Sequence, residues 1–360
     1  RIDNSGGTIR LIAGGDRNSL INTGTLDASG QGGDGGTIEI YAEQISNNGV
    51  VIANASNNST AGDIDIISES SLTLGESSLI EAKGKDVNSN GGDIYIYSHG
   101  DAQALNGQTI NISGGSVSGD GGTGELSATG NVSFSGSVIG YAKDGYDTGS
   151  FIIDPLTATV SGSFGADTTV WAEDGIDING ATSIDTTSGN VTLTLLADHA
   201  TATPGDWDIG GGSGTATLGT ITRSGAFTIA ESGTTPANTA TLVMKAGDDA
   251  SNNSIGTSAS PILTNVDVLN IEVNPASTGD VFITETGAVD LSGVSIGNSR
   301  NLVLSAGGSI TDSGLVTVGG TASITTTTTD EDIDLNQLAV AGAIDVNTTG
   351  TTANATIVNT

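Results

Sequence analysis

The stretch Gly35-Gly36-Thr37-Ile38-Glu39-Ile40-Tyr41-Ala42 is a glycine-rich turn followed by a short strand in which apolar and polar residues alternate. Three further copies of this pattern occur in the first part of the chain. Equivalent positions in the four copies are Thr8, Thr37, Asp63 and Asp93, which gives steps of 29, 26 and 30 along the sequence. A nearly constant step of about 20 to 50 residues is typical of a solenoid, a propeller or another repeat array.

The composition favours a thin core that is repeated many times. Hydrophobic residues make up 35% of the 360 residues and aromatic residues only 3%, whereas glycine occurs 55 times. The apolar residues are mainly β-branched and regularly placed, which a disordered chain would not show. Signals for helices are nearly absent, so we predict short strands bounded by Gly, Asn, Asp and Ser.

The charge excludes one class of partner. Nine Lys and Arg residues stand against 41 Asp and Glu residues, so the formal net charge is −32. Phosphate binding needs clustered basic residues, and those of this chain are scattered, so we expect no nucleic-acid partner. Cysteine is absent, and no run of 18 apolar residues occurs, so we do not expect a membrane-spanning helix. The repeat pattern of strands and turns starts and stops partway through a repeat at both ends of the sequence. We therefore expect the chain to be a segment of a longer protein.

These features predict an all-β fold, a right-handed parallel β-helix (β-solenoid) in the form of an elongated rod. A unit of about 20 to 30 residues is too short for a propeller blade, which takes about 40 or more residues, and β-to-β parallel crossovers are right-handed. We expect residues 1–155 to form coils of about 26–30 residues, within the range of solenoid repeats. Residues 156–290 are less regular and continue the solenoid, and residues 291–360 form coils of about 22 residues. The shorter period comes from two sets of equivalent positions, each at steps of 22: Val294, Val316 and Leu338, and also Leu302, Ile324 and Val346.

The motifs in residues 1–155 resemble those of the filamentous-haemagglutinin-like large exoproteins of bacteria, which include the secreted partners of two-partner secretion. The resemblance lies in Asn22-Thr23-Gly24-Thr25-Leu26-Asp27-Ala28-Ser29-Gly30, in the glycine-rich stretch after it, and in Phe151-Ile152-Ile153-Asp154-Pro155. It implies a β-helix exported to the cell surface or the medium, with a structural role in adhesion, aggregation or a biofilm matrix. The Asn-Pro-Asn-Leu-type motifs of that family's secretion domain are absent from this sequence.

Two interpretations of the acidic and glycine-rich turns remain open. Asp330, Asp332 and Asp334 offer oxygen ligands to a Ca²⁺ ion, which needs six to eight of them, but a solvated acidic turn explains the same residues. The pairs Asp63/Asp65 and Asp206/Asp208 carry the same two interpretations. For Gly32-Gly33-Asp34-Gly35-Gly36 we predict turn chemistry, with glycine supplying positive φ angles.

We do not expect an enzyme, because His99 and His199 are typical of loop residues and no catalytic order of residues is evident. The alternative function is a carbohydrate-binding or carbohydrate-cleaving β-helix. Tyr95 and Tyr97 share one strand face, and Trp171 and Trp207 are further aromatic candidates for stacking on sugars. The expected partners are a host or neighbouring-cell surface, polysaccharide, or copies of the chain itself joined through coil edges. In the last case the chain would be a filament-forming subunit.

Overall fold

The computed structural model describes residues 2–3, 6–14, 18–197, 219–233, 238–247 and 253–360. Within these ranges the chain is all-β and contains no helix. The strands pair in parallel with strands of the preceding and following coils, which confirms the predicted parallel β-helix class. No helix among the described residues is long and apolar enough to cross a membrane.

The chain divides into two compact units. One unit comprises Arg1–Val170, Ser183–Val191 and Ser232–Asn238, and we call it the first unit. The second unit comprises Trp171–Thr182, Thr192–Glu231 and Thr239–Thr360.

The strands up to residue 165 are β1 (Ile2–Asp3), β2 (Thr8–Ala13), β3 (Ser19–Asn22), β4 (Thr25–Asp27), β5 (Thr37–Asn47), β6 (Val50–Ile52), β7 (Asp63–Leu74), β8 (Leu79–Glu81), β9 (Asp93–Ser98), β10 (Asp101–Ala104), β11 (Thr109–Asn111), β12 (Thr123–Ala128), β13 (Asn131–Phe134), β14 (Ser137–Ile139), β15 (Ser150–Asp154) and β16 (Thr157–Gly165).

The remaining strands are β17 (Asp167–Ala172), β18 (Gly175–Ile184), β19 (Val191–Ala197), β20 (Thr220–Arg223), β21 (Thr228–Glu231), β22 (Ala240–Ala246), β23 (Ile262–Asn265), β24 (Val268–Val273), β25 (Val281–Glu285), β26 (Val289–Asn298), β27 (Leu302–Ala306), β28 (Ile310–Asp312), β29 (Val316–Gly319), β30 (Ala322–Thr329), β31 (Ile333–Val340), β32 (Ile344–Thr349) and β33 (Ala355–Asn359).

Each coil of the first unit has three faces. The first face stacks β2, the start of β5, the start of β7, β9, β12 and β15. The second face stacks β3, the ends of β5 and β7, β10, β13 and the start of β16. The third face stacks β4, β6, β8, β11, β14 and the end of β16. The register pairs Thr8 with Thr37, Thr37 with Asp63 and Asp63 with Asp93, so the alignment predicted for the four copies is confirmed.

The core of this unit consists of columns of aliphatic side chains that point inward from successive coils. On the first face one such column is Ile9, Ile38, Ile64 and Ile94, all of which are buried. The column then reaches Gly124, where the ring of Phe151 from the next coil fills the space, with a ring carbon 2.6 Å from the position a Cβ would take. A large side chain thus compensates for a missing one, and the column keeps the close packing of a protein interior.

The glycines before β5, β7, β9 and β12, which are Gly36, Gly62, Gly92 and Gly122, lie where the backbones of neighbouring coils approach closely. A Cβ on Gly36 would lie 2.0 Å from the carbonyl oxygen of Gly7, and a Cβ on Gly62 would lie 1.8 Å from that of Gly36. Gly36 and Gly62 do not have positive φ angles, whereas Gly32, earlier in the same turn, has a φ of 139°. The prediction that positive φ explains this turn therefore holds for Gly32. At Gly36 and Gly62 the reason is backbone proximity, which only glycine tolerates.

Carboxylate and amide side chains tie each turn to the next coil. In both units an Asp or Asn side-chain oxygen accepts a hydrogen bond from a backbone N–H about one coil further along the chain. These acceptor and donor pairs include Asp34 to Thr60, Asn90 to Asp120, Asp101 to Asn131, Asp120 to Asp147, Asp280 to Asn301 and Asp332 to Asn354. Many acidic residues therefore satisfy backbone donors at coil turns, which otherwise lack partners.

The second unit has shorter coils in its carboxyl-terminal part. Val294 pairs with Val316, and Val316 pairs with Leu338, which confirms the alignment predicted for these three positions. The predicted alignment of Leu302 with Ile324 is wrong, because Ile324 pairs with Leu304, and Leu302 pairs with Ala322. The predicted alignment of Ile324 with Val346 is confirmed. The turn between β29 and β30 is short, so this face of the coil advances by a smaller step there. The shorter coils are already present before residue 290, since Val268 pairs with Asp290.

Candidate functional site

The outward side chains of the first face form straight columns, because the strands are parallel and in register. Glu39, Asp65, Tyr95 and Glu125 occupy successive positions of one column. Adjacent members of such a column are separated by the strand spacing of about 4.8 Å. Tyr41 and Tyr97 lie in the neighbouring column, separated by one coil.

Aromatic side chains form a cluster on this face, and we call Tyr41, Tyr95, Tyr97 and His99 the tyrosine patch. The rings of Tyr95 and Tyr97 are nearly parallel, at 13°, with centroids 6.2 Å apart. Tyr97 contacts His99 edge to face, with centroids 4.8 Å apart. Tyr97 is only 5% exposed, whereas Tyr41 is 40% exposed. The patch therefore has a rigid centre and an accessible rim, which is the form aromatic residues take at many contact surfaces.

The tyrosine patch lies in a negatively charged environment. Burial, followed by the neighbouring charges of Glu125, Tyr97, Asp65 and Asp154, raises the pKa of Tyr95 to about 12. Burial also raises the pKa of Asp65, and the nearby Asp63 and Glu39 raise it further. Tyr95 therefore keeps its proton at neutral pH, and its hydroxyl remains a hydrogen-bond donor beside acidic acceptors.

Basic groups are few but specifically placed on this face. Arg10 Nε lies 2.8 Å from a carboxylate oxygen of Glu39, at one end of the acidic column. His99 Nε2 lies 3.8 Å from Glu69 Oε2 at the edge of the tyrosine patch. Among its described residues, this face therefore combines aromatic rings with carboxylates that include Glu39, paired with Arg10, and Glu69, close to His99.

A shallow polar groove of about 300 Å³ crosses the second face of the first unit. We call it the polar groove, and its outward lining residues are Ser71, Thr73, Asp101, Gln103, Asn131, Ser133 and Thr159. These side chains offer hydroxyl and amide groups together with one carboxylate. Asp101 Oδ1 accepts the backbone N–H of Asn131 at 2.8 Å, so that carboxylate is partly used within the scaffold.

The predicted calcium ligands hold the backbone of the following coil. Asp330 Oδ1 accepts the N–H groups of Thr351 and Thr352, both at 2.9 Å, and bonds from Thr352 are the main reason that the pKa of Asp330 is lowered. Asp332 Oδ1 accepts the N–H of Asn354 at 2.7 Å, and Asp334 is exposed on β31. In the part of the chain that the structure describes, no three His, Cys, Asp or Glu side chains are grouped so as to hold a metal ion. Calcium binding at these residues stays a prediction, and the turn interpretation accounts for the contacts that Asp330 and Asp332 make.

Five further candidate residues were predicted from the sequence. Asp206, Asp208, His199 and Trp207 lie outside the described residues. Trp171 is half-buried on β17. Sequence reasoning found the shared face of Tyr95 and Tyr97 by alternation. It missed Tyr41, which the stacking of β5, β7 and β9 places in the same column as Tyr97.

Comparison with protein-family models, with curated proteins and with solved structures finds no match for this chain. The resemblance to filamentous-haemagglutinin-like exoproteins therefore stays a prediction from the sequence motifs.

Proposed function

We propose that this chain is a structural and adhesive segment of an extracellular bacterial fibre, exposed at a cell surface and serving adhesion, aggregation or a biofilm matrix. The observation that carries the proposal is the parallel, in-register pairing of the first-face parts of β5 and β7 with β9 and β12. It converts a repeated sequence into straight rows of outward side chains on a stiff core. Such a scaffold extends with each coil added and presents the same type of surface along its length.

The tyrosine patch is the surface that we propose makes the adhesive contact. Its accessible rim is Tyr41, and its centre is held by Tyr95 and Tyr97. Accessible tyrosines supply contact area at a low cost in side-chain entropy. The partners that fit are a polysaccharide, a host or neighbouring-cell surface, or another copy of the chain.

The proposal is tested with beads that carry the purified chain. Beads are scored for aggregation with one another and for retention on polysaccharide-coated glass, and albumin-coated beads give the baseline. We expect both scores to exceed the baseline and to fall when Tyr41→Ala and Tyr95→Ala are combined. Tyr146→Ala is the matched control, because Tyr146 is 44% exposed in a turn away from the patch. Scores at the albumin baseline would contradict the adhesive role.

The polar groove favours a second candidate function, carbohydrate binding or cleavage. Its hydroxyl and amide groups match the hydrogen-bonding needs of a sugar chain. Isothermal titration with a panel of soluble polysaccharides tests binding, with Gln103→Ala expected to weaken it and Ser116→Ala, in an exposed turn, as the control. Release of reducing ends that is lost in Asp101→Asn would replace the structural interpretation with an enzymatic one.

A further inference from the structure

A lysine, a carboxylate and two asparagines meet on the third face of the first unit. Glu81 ends β8 and pairs in register with Asn111 at the end of β11. Lys83 follows Glu81 by two positions, and Asn54 lies on the preceding coil. Glu81 is only 8% exposed, so its carboxylate is largely shielded from water.

The carboxylate of Glu81 holds the lysine amine and an asparagine amide on the same oxygen atom. Lys83 Nζ lies 2.9 Å from Glu81 Oε2, and Asn111 Nδ2 donates to that oxygen at 3.1 Å. Asn54 Nδ2 donates to the other oxygen, Oε1, at 2.6 Å. The asparagine from the next coil thus brings its amide next to the amine.

The carbonyl oxygen of Asn111 is held by two donors. Asn111 Oδ1 accepts the backbone N–H of Ser113 at 3.1 Å and the hydroxyl of Ser113 at 2.8 Å. Donors at this position polarise the carbonyl and stabilise the negative charge that develops on the oxygen when a nucleophile adds to Cγ. Asn54 lacks this pair, because its Oδ1 accepts the backbone N–H of Lys83 at 2.9 Å.

We propose that Lys83 and Asn111 form an intramolecular amide (isopeptide) cross-link, with Glu81 moving the protons. Glu81 takes a proton from the Lys83 ammonium group, and the neutral amine adds to Cγ of Asn111. The Nζ–Cγ bond forms and the Cγ–Nδ2 bond breaks, while Glu81 passes a proton to the departing nitrogen. That nitrogen leaves as ammonia, which carries away the second lysine proton as ammonium, and Glu81 returns to its carboxylate form. No oxidant, reductant or cofactor takes part.

The cross-link would join consecutive coils covalently, because residues 83 and 111 lie on neighbouring coils of the third face. It would keep this coil closed under a force or temperature that opens the hydrogen-bonded ladders. The inference does not depend on the adhesive function.

The test is mass spectrometry of the purified full chain after prolonged incubation near neutral pH. We expect an intact mass lower than the sequence mass by one ammonia. Digestion with a protease that cuts after Asp and Glu should yield the Lys83 peptide joined to the Asn111 peptide. Cyclisation at Asn106-Gly107 also releases ammonia, so the joined peptide, identified by tandem mass spectrometry, is the deciding readout.

Variants separate the roles of the residues. Glu81→Gln, Lys83→Arg and Asn111→Ala should each abolish the joined peptide, whereas Lys85→Arg, at an exposed lysine two positions further on, should retain it. Wild-type chain that yields only separate Lys83 and Asn111 peptides overturns the proposal, and this result does not depend on whether any variant folds. A link from Lys83 to Asn54 instead would overturn the assignment of Asn111.

Discussion

Replacing Gly62 with alanine tests the stacking geometry of the coils at a point of close backbone approach. The new Cβ would lie 1.8 Å from the carbonyl oxygen of Gly36, whereas ordinary contact begins near 3.4 Å. The two backbones must therefore separate by more than an ångström. The same carbonyl accepts the N–H of Asp63 at 3.2 Å, and Gly62 donates to Ala53 at 2.7 Å. A separation of that size breaks the first bond and strains the second.

The cost follows from those bonds. Leaving a buried backbone donor or acceptor without a partner costs about 1–3 kcal/mol per group, so Gly62→Ala should destabilise the local ladder by about 2–4 kcal/mol. Stability in a stacked-coil protein is a sum over neighbouring repeats, so the loss is local. Hydrogen exchange measured by mass spectrometry on β5 and β7 is therefore the assay. Each 1.4 kcal/mol is a factor of ten, so their amides should exchange roughly 30 to 700 times faster.

Gly33→Ala, in the glycine-rich turn of the preceding coil, is the control. No atom lies within 4 Å of the position that its Cβ would take, and Gly33 has no positive φ angle. We expect an effect within about 1 kcal/mol, with a small gain from the reduced entropy of the unfolded chain. Equal exchange rates for Gly62→Ala and Gly33→Ala in β5 and β7 would refute the claim that backbone proximity selects glycine.

Three further substitutions test the core and the charged turns. Phe134→Ala removes a ring that stacks on Phe164 at 5.4 Å, and it should cost about 3–5 kcal/mol, measured by hydrogen exchange of β13 and β16. Burial raises the pKa of Asp65 above 3.8, because the charged form is disfavoured in the folded state. The charged carboxylate therefore opposes folding at neutral pH, and the folded protein gains stability as the pH falls through the raised pKa. Asp65→Asn should therefore raise the urea midpoint at pH 7 and lose that advantage below about pH 4, whereas an unchanged difference across this range would contradict the assigned cause. Asp330 behaves in the opposite way, because hydrogen bonds from Thr352 lower its pKa and its stabilising effect is lost as the pH falls through that lowered value. Asp330→Ala should lower the urea midpoint at pH 7 more than at pH 2. Under the turn interpretation, millimolar Ca²⁺ should shift the wild-type midpoint no more than Mg²⁺ does, whereas a larger shift with Ca²⁺ would support the calcium interpretation.

The sequence predicts the ladders well wherever strands alternate. The copies at Thr8, Thr37, Asp63 and Asp93 stack in the register that their spacing implies, because a slip of a single position would expose every inward isoleucine. The face shared by Tyr95 and Tyr97 was predictable for the same reason.

Turn length is the feature that the sequence pattern does not determine. Residues 82–92 connect the third and first faces in one coil, but Ala166 alone makes the same connection between β16 and β17. Ser150 therefore pairs with Asp167, a much shorter step than the one from Asp93 to Thr123 on the same face. Strands must keep their register to pair, whereas turns face solvent and can shrink without loss of core packing.

Polar residues that point inward are also not predicted by the alternation of apolar and polar residues along a strand. Asn22 Nδ2 donates to Asn47 Oδ1 at 2.7 Å, and Asn47 Nδ2 donates to Ser78 Oγ at 2.6 Å, so a hydrogen-bonded ladder is buried at one corner of the coils. Each side chain satisfies the next, which makes burial tolerable. The sequence of one strand does not predict such a partner, because the partner comes from the neighbouring coil. The sequence separation is 25 in one pair and 31 in the other.

The strong negative charge has two physical consequences, and together they narrow where contacts can form. Asp and Asn both tie one coil to the next, as Asp101 and Asn90 do, but a carboxylate accepts stronger hydrogen bonds than an amide. Acidic ties therefore stabilise the coils while they add charge that makes copies repel each other. Close approach of a partner is then favoured where aromatic area lies beside paired carboxylates. On the described part of the first face, that condition is met by the tyrosine patch, next to Glu39 with its Arg10 partner.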